Sequence, residues 1–163
     1  MTPSRACVYI HTMAHRTPSP DQIQDLHGCL CLTLRRTTRV VTQRYDAALR
    51  PYGLRATQLP ILTAVAPGEP IPLARLATFL GMERTTLLRN VRPLVRQGLI
   101  AVRREKAGRR DELEATAKGQ ALLVRVYPAW RELQEQLLSE LEDPRLRQTL
   151  AELGQSIAAQ KAT

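Results

Sequence analysis

Aromatic side chains are nearly missing from this chain: its 163 residues hold one Trp, one Phe and four Tyr, 4% in all. Aliphatics and alanine supply most of the 44% apolar content, which favours helices packed on helices over a sheet sandwich. No run approaches the roughly 18–20 apolar residues of a membrane span. The opening MTPSRACVYIHTMA has only a weak apolar patch, interrupted by His11 and Thr12, so no secretory signal is expected, and Met13 is an alternative start. Cysteine is also scarce. Cys7, Cys29 and Cys31 cannot complete a disulfide framework within one chain, which points to a reducing cytoplasm. Cys29 and Cys31 lack the CxxC spacing of a zinc site, so no metal is expected. A Gly-rich phosphate loop is missing, and His11, His15 and His27 stand upstream without a nucleophile or acid at readable spacing. Neither an enzyme nor a cofactor is indicated.

Negative charge is in short supply too. Fifteen acids face 24 lysines and arginines, a formal surplus of +9. A surplus of that size on one small domain suggests a polyanion partner, with nucleic-acid phosphate foremost.

What is present is mostly helical. Residues 1–20 read as a flexible arm ending in TPSP, whose prolines stop a helix. Asp21 is a good N-cap for a long helix over 22–50, closed by Pro51 and Gly53. Thr57 is placed to cap a short helix from Gln58 to about Val65. Leu73 to Leu80 and Arg84 to about Gln97 then form two helices around Gly81, followed by a ribbon of two strands turning at Ala107 and Gly108. Thr116 caps a helix from Ala117 carrying Leu122, Val126, Trp130, Leu133, Leu137 and Leu141 on one stripe, with Pro128 bending it. Asp143 and Pro144 start a last helix with Leu146, Leu150, Leu153 and Ile157 at three–four spacing. Terminal helices with apolar stripes need something to cover them, and a second subunit is the economical answer. The fold class is therefore mainly α with a small β-hairpin wing (α+β).

The helix after Gly81 sorts by face. Leu87, Leu88, Val91, Leu94 and Val95 make a buried stripe. Thr85, Arg89, Arg92 and Arg96 fall opposite it, flanked by Arg84, Thr86 and Asn90. Hydroxyls near a helix start can touch phosphates or a thymine methyl, Arg can take guanine and Asn adenine. Pro93 removes the amide that would bond the Arg89 carbonyl and is expected to kink the far half. In the ribbon, Arg103, Arg104, Lys106, Arg109 and Arg110 gather five positive charges about the turn, a tip suited to a minor groove.

Three stretches together resemble the MarR family of winged-helix transcription regulators: RYDAALRPYGLRATQLPIL, LARLATFLGMERTTLLRNVRPLVRQGLI and GRRDELEATAKG. The resemblance covers about residues 22–160. It implies a single domain over 21–163, with a winged helix at 55–116 and dimerisation helices at 21–50 and 117–161. It also implies a homodimer on the double-stranded DNA of a pseudo-palindromic operator, in the cytoplasm with the nucleoid. Most members repress and release DNA when a small molecule or an oxidant alters the spacing of the lobes. The usual wing arginine corresponds to Arg109, and the usual acid two positions earlier is Ala107 here.

For the signal, two expectations stand. One is a small aromatic or phenolic ligand between the dimer helices and the winged lobe. Arg35, Arg36 and Arg39 could meet its acid group, or be solvated, or touch phosphates. The other is oxidation. Cys31 stands fourteen residues before Tyr45, an arrangement similar to the hydroperoxide-sensing branch, whose second tyrosine position is Arg35 here. Cys29 sits two residues away and, on a helix, would point to the other side. Both thiols could instead be small apolar packing at a dimer seam. From a different class, a sequence-tolerant architectural DNA-binding protein has the same charge signature.

Overall fold

The computed structural model describes residues 17–104, 111–140, 143 and 145–160. Backbone contacts divide the chain into one unit ending at Arg39 and a second beginning at Val40.

In the first unit, α1 spans Pro20–His27. The single helix expected over 22–50 is in fact two, because Gly28 and Cys29 interrupt it before α2 resumes at Leu30. Ser19, not Asp21, is the N-cap: its hydroxyl accepts the Gln22 amide, and the Gln22 side chain accepts the Ser19 amide. Pro20 therefore opens α1 instead of stopping it, since at the first helical position its missing N–H costs nothing. Asp21 falls in the first turn, where the helix dipole favours an acid. Cys29 lies in the break and Cys31 in the first turn of α2, so the two do not share a helix as the sequence suggested.

The second unit holds the rest of α2 (Leu30–Leu49), a 3₁₀ turn at Arg50–Tyr52, and α3 (Leu59–Ala64). Strand β1 is Ile71–Pro72, and α4 (Leu73–Leu80) and α5 (Arg84–Arg96) follow. Strands β2 (Ile100–Arg104) and β3 (Asp111–Ala115) make the wing, then come α6 (Ala117–Ser139) and α7 (Leu146–Gln160). The ribbon was expected to have two strands; the sheet has three, in the order β1-β3-β2, all antiparallel. At two residues β1 is too short to leave a pattern, yet Ile71 pairs with Leu113 and fastens the wing to the start of α4.

Buried aliphatics hold this unit together. Leu49, Ile61, Leu62, Leu76, Leu87, Leu94, Ile100, Leu113 and Val126 are 0–2% exposed and form one cluster from α2 to α6. At about 25 cal/mol per Å² of apolar surface, each contributes on the order of 2 kcal/mol by leaving water. Thr57 does not cap α3. Gln58 takes the N-cap position without a side-chain bond to the helix amides, and Thr57 turns its hydroxyl to Asn90 instead. Thr116 does cap α6, accepting the Gly119 amide at 3.1 Å. Helices α5 and α6 run on through Pro93 and Pro128. Asp143 caps the chain ahead of α7, its carboxylate accepting the Arg145 amide.

Candidate nucleic-acid interface

Helices α4 and α5 meet at a turn made by Gly81, whose φ of +61° lies in the left-handed region that glycine enters without penalty. That turn sets the angle at which α5 leaves the lobe. The helix is then fixed by its own apolar side, with Leu87, Val91 and Leu94 buried and Leu88 and Val95 half-buried. The opposite face is consequently held out to solvent. Arg84, Thr85, Thr86, Arg89, Arg92 and Arg96 are all exposed on it.

Asn90 sits apart from that group. It is half-buried, its Oδ1 accepts the Thr57 hydroxyl at 2.8 Å, and its Nδ2 donates to the Thr86 carbonyl at 2.9 Å. It joins α5 to the turn before α3.

At its far end α5 is fastened to α6. Lys118 Nζ donates to the Gln97 carbonyl at 2.7 Å. The Thr116 hydroxyl donates to the Gly98 carbonyl at 2.7 Å and its amide to Leu99 at 3.0 Å. Gly119 packs so closely that a Cβ there would fall 2.2 Å from the Leu99 oxygen. The Lys118 bond satisfies a carbonyl that a helix terminus leaves open, and the Thr116 bonds hold the turn that follows.

The strands of the wing are less basic than the sequence suggested. β2 carries Arg103 and Arg104, whereas β3 carries Asp111, Glu112 and Glu114. Arg103 Nε donates to Glu114 at 2.5 Å, so one of the expected DNA contacts is already paired across the sheet. Arg104 lies on β2 opposite Asp111. Lys106, Arg109, Arg110 and the turn at Ala107 and Gly108 fall outside the described residues. The wing's positive surplus thus belongs to its tip segment, EKAGRR, and not to its strands.

Two further features belong to this unit. A cleft of about 500 Å³ lies between α3 and α6, walled by Pro60, Leu123, Tyr127 and Trp130 among others. The rings of Tyr127 and Trp130 stack there, with centroids 6.0 Å apart. Near the other end of α6, Tyr45 donates its hydroxyl to Gln134 and Arg44 pairs with Glu140 at 2.5 Å. Burial raises the Tyr45 phenol above its ordinary value, with the Arg147 charge working against the shift. The Arg44 hydrogen bond holds the Glu140 carboxyl below the usual range. In the first unit Cys29, Cys31, Arg35, Arg36 and Arg39 are all exposed, and both thiols are free. Among the described residues no cluster of His, Cys, Asp and Glu could hold a metal, and no helix is long and apolar enough to cross a membrane.

Sequence reasoning expected a ligand between the dimer helices and the winged lobe but named none of the residues of this cleft, and it missed strand β1 and the ties from Thr116 and Lys118 to the end of α5. Only the Thr116 cap left a readable signal; the others depend on which segments meet in space.

A helix-turn-helix domain model matches residues 54–103, the stretch from the end of the 3₁₀ turn to the wing. No curated protein sequence matches the chain. Among solved structures, the transcriptional regulator MosR of M. tuberculosis is 40% identical, covering 80% of this chain and 96% of its own, with a TM-score of 0.71. Its complex with DNA gives the same identity, 80% and 97% coverage, and a TM-score of 0.73. The transcriptional repressor CouR on a 23-mer DNA duplex is 25% identical over 83% of this chain and 96% of its own, TM-score 0.68. CouR from Rhodococcus jostii RHA1 bound to p-coumaroyl-CoA is 22% identical over 82% and 94%, TM-score 0.67. These relatives are regulators and not enzymes. With 40% identity over four fifths of its length to one of these regulators, and a buried-stripe helix, glycine turn and three-stranded wing of its own, the chain belongs to the MarR family of winged-helix transcriptional regulators.

Proposed function

We propose that the chain is a homodimeric, sequence-specific transcriptional repressor that reads a pseudo-palindromic operator and releases it on binding a small aromatic or phenolic ligand. The observation that carries the reading is the outward face of α5, where Arg84, Thr85, Thr86 and Arg89 are exposed opposite the buried Leu87, Val91 and Leu94. A major groove admits one such helix, and those donor types suit base edges and phosphates. Arg92, Arg103, Arg104 and the wing-tip residues Lys106, Arg109 and Arg110 complete the proposed contact, with Asn90 holding the helix in place.

Dimerisation is supported by apolar side chains left uncovered in one copy. Leu138, Leu146 and Leu150 are 41%, 36% and 45% exposed along the last two helices. Ligand control is supported by the α3–α6 cleft. Its walls are almost wholly apolar and carry two stacked rings, a lining that suits an aromatic group. A relative of this fold holds an aromatic acyl thioester, p-coumaroyl-CoA. Arg35 and Arg39 remain candidates for an acid group. The proposed setting is the cytoplasm, at the nucleoid.

A second reading, an oxidant-sensing repressor, is favoured by the exposure of Cys29 and Cys31, which leaves both thiols open to peroxide. Selection of bound DNA from a random pool, repeated with candidate aromatic acids and with peroxide, tests these readings together. A regulator should prefer its selected site over random DNA by roughly 10³-fold or more at physiological salt. Loss of that preference with an aromatic acid supports the ligand, and loss with peroxide that Cys31→Ser abolishes supports the thiol. Equal binding to all sequences would make the chain an architectural DNA-binding protein.

A further inference from the structure

A groove of about 430 Å³ is formed by the end of α3, the loop after it, β1 and α4. None of its lining comes from α5, from β2 and β3 or from the last two helices, so neither the proposed reading face nor the uncovered leucine stripe takes part in it. Its apolar wall includes Leu76, Pro67 and Pro70. Phe79, the one phenylalanine of the chain, also lines it and is 75% exposed. Arg75 stands one helical turn before Phe79 on the same face of α4, and Glu69 lies in the loop before β1, both exposed. Among the described ion pairs neither of these charges has a partner.

A single exposed ring is ordinary on a protein surface. A ring beside an apolar groove, with one charge of each sign next to it, makes a surface complementary to itself. When two copies meet about a two-fold axis every contact is made twice, so Phe79 of each copy enters the groove of the other. Arg75 of each copy then meets Glu69 of the other. A foreign partner would need an acid, a base and an apolar plug in matching places, and a second copy brings all three. Charge points the same way. Two chains of formal +9 repel over most of their surface, whereas this patch carries one positive and one negative group and is locally neutral. The prolines of the wall have no rotamer freedom to lose on contact.

We infer that this groove is a self-association surface, through which two copies of the chain pair by exchanging Phe79 and by reciprocal Arg75–Glu69 contacts. It is a second contact, separate from the pairing of the last helices, and it joins dimers to one another. A groove of this size offers much less than the roughly 1,200–2,000 Å² buried in a stable interface, so the association is weak in free solution. On a DNA that holds two dimers side by side the same contact forms at raised local concentration and binds them cooperatively. Each dimer carries two such grooves, so association is not limited to four copies.

The test is sedimentation of the full chain without DNA, over a range of about 1 to 300 μM that suits a contact of this size. The mean mass should rise reversibly, about twofold or more across the range. Phe79→Ala should weaken the association about tenfold or more, as truncating a central aromatic does. Arg75→Glu and Glu69→Arg should each weaken it about tenfold, because either one sets like charges together at two symmetric places. The double variant Glu69→Arg with Arg75→Glu restores both contacts with signs exchanged and should return to within about threefold of wild type. Net charge alone makes a different forecast, since Arg75→Glu lowers the surplus and would then tighten the association of a basic chain. Phe79, Arg75 and Glu69 are all exposed, so melting temperatures should not move. The inference is overturned by a mean mass that stays constant to the top of the range, by Phe79→Ala associating like wild type, by Arg75→Glu associating more tightly, or by a double variant no better than the single ones. Failure of the other reading is told apart at the lowest concentration. A chain whose last helices do not pair starts there as a monomer, and its rise through the groove is read from the same series.

Discussion

Gly119 leaves no room for even a methyl group, since the atom would meet the backbone oxygen of Leu99 and the side chain of Leu62 at once. Backbone cannot step aside as a flexible side chain can. Gly119→Ala should therefore destabilise by about 2–3 kcal/mol, a fall in melting temperature of roughly 5–10 °C for a domain of this size. Gly81 makes a different demand. Its surroundings are open, so Gly81→Ala should cost only the left-handed backbone penalty, about 1 kcal/mol. The two glycines look alike in sequence, and only Gly81, at a helix end, announced its purpose. The use of Gly119 depends on Leu99, twenty positions away in the chain and brought beside it by the sheet.

Helices α4, α5 and α6 could be placed from sequence because each has a strong apolar period and a local stop or start: Gly81 for the first two, Thr116 for the third. The long first helix was misjudged because its apolar spacing continues across Gly28 while the backbone does not. At this scale the Arg44–Glu140 bridge between α2 and α6 gives a pH signature. Glu140 has its pKa lowered in the fold, so its contribution is present above the unfolded glutamate value and fades as pH falls through the lower folded value. Glu140→Gln should lower the melting temperature slightly at neutral pH and not at all well below the folded value, which flattens the acid limb of a pH–melting profile; the change is small because the pair is exposed to solvent. Tyr45 has the opposite sign. Its raised pKa favours the neutral phenol, so its contribution is whole below the ordinary tyrosine value and is lost as pH rises through the folded one. Tyr45→Phe should remove that alkaline dependence from the same profile.

For the molecule as a whole, charge and apolar surface make separate demands. The formal +9 should give DNA binding that weakens steeply with salt, and the uncovered leucines of the last helices should hold two copies together. Leu146→Glu with Leu150→Glu should shift sedimentation from a dimer to a monomer. Operator affinity should fall with it, since one lobe then binds without its twin. Charge and stripes were both readable in the chain, but the balance inside the wing was not, because cross-strand pairing of Arg103 with Glu114 appears only once the register is known. The ties from Thr116 and Lys118 have one more consequence. They weld the end of α5 to the first turn of α6, making α6 an arm about 34 Å long that carries α5 at its N-terminal end, where a pivot at the opposite end gives the largest travel. A tilt of about 5° along such an arm carries its end through about 3 Å, close to the 3.4 Å between neighbouring bases on a strand. A small push at the aromatic cleft, without any unfolding, would be enough to put α5 one step out of register with its site.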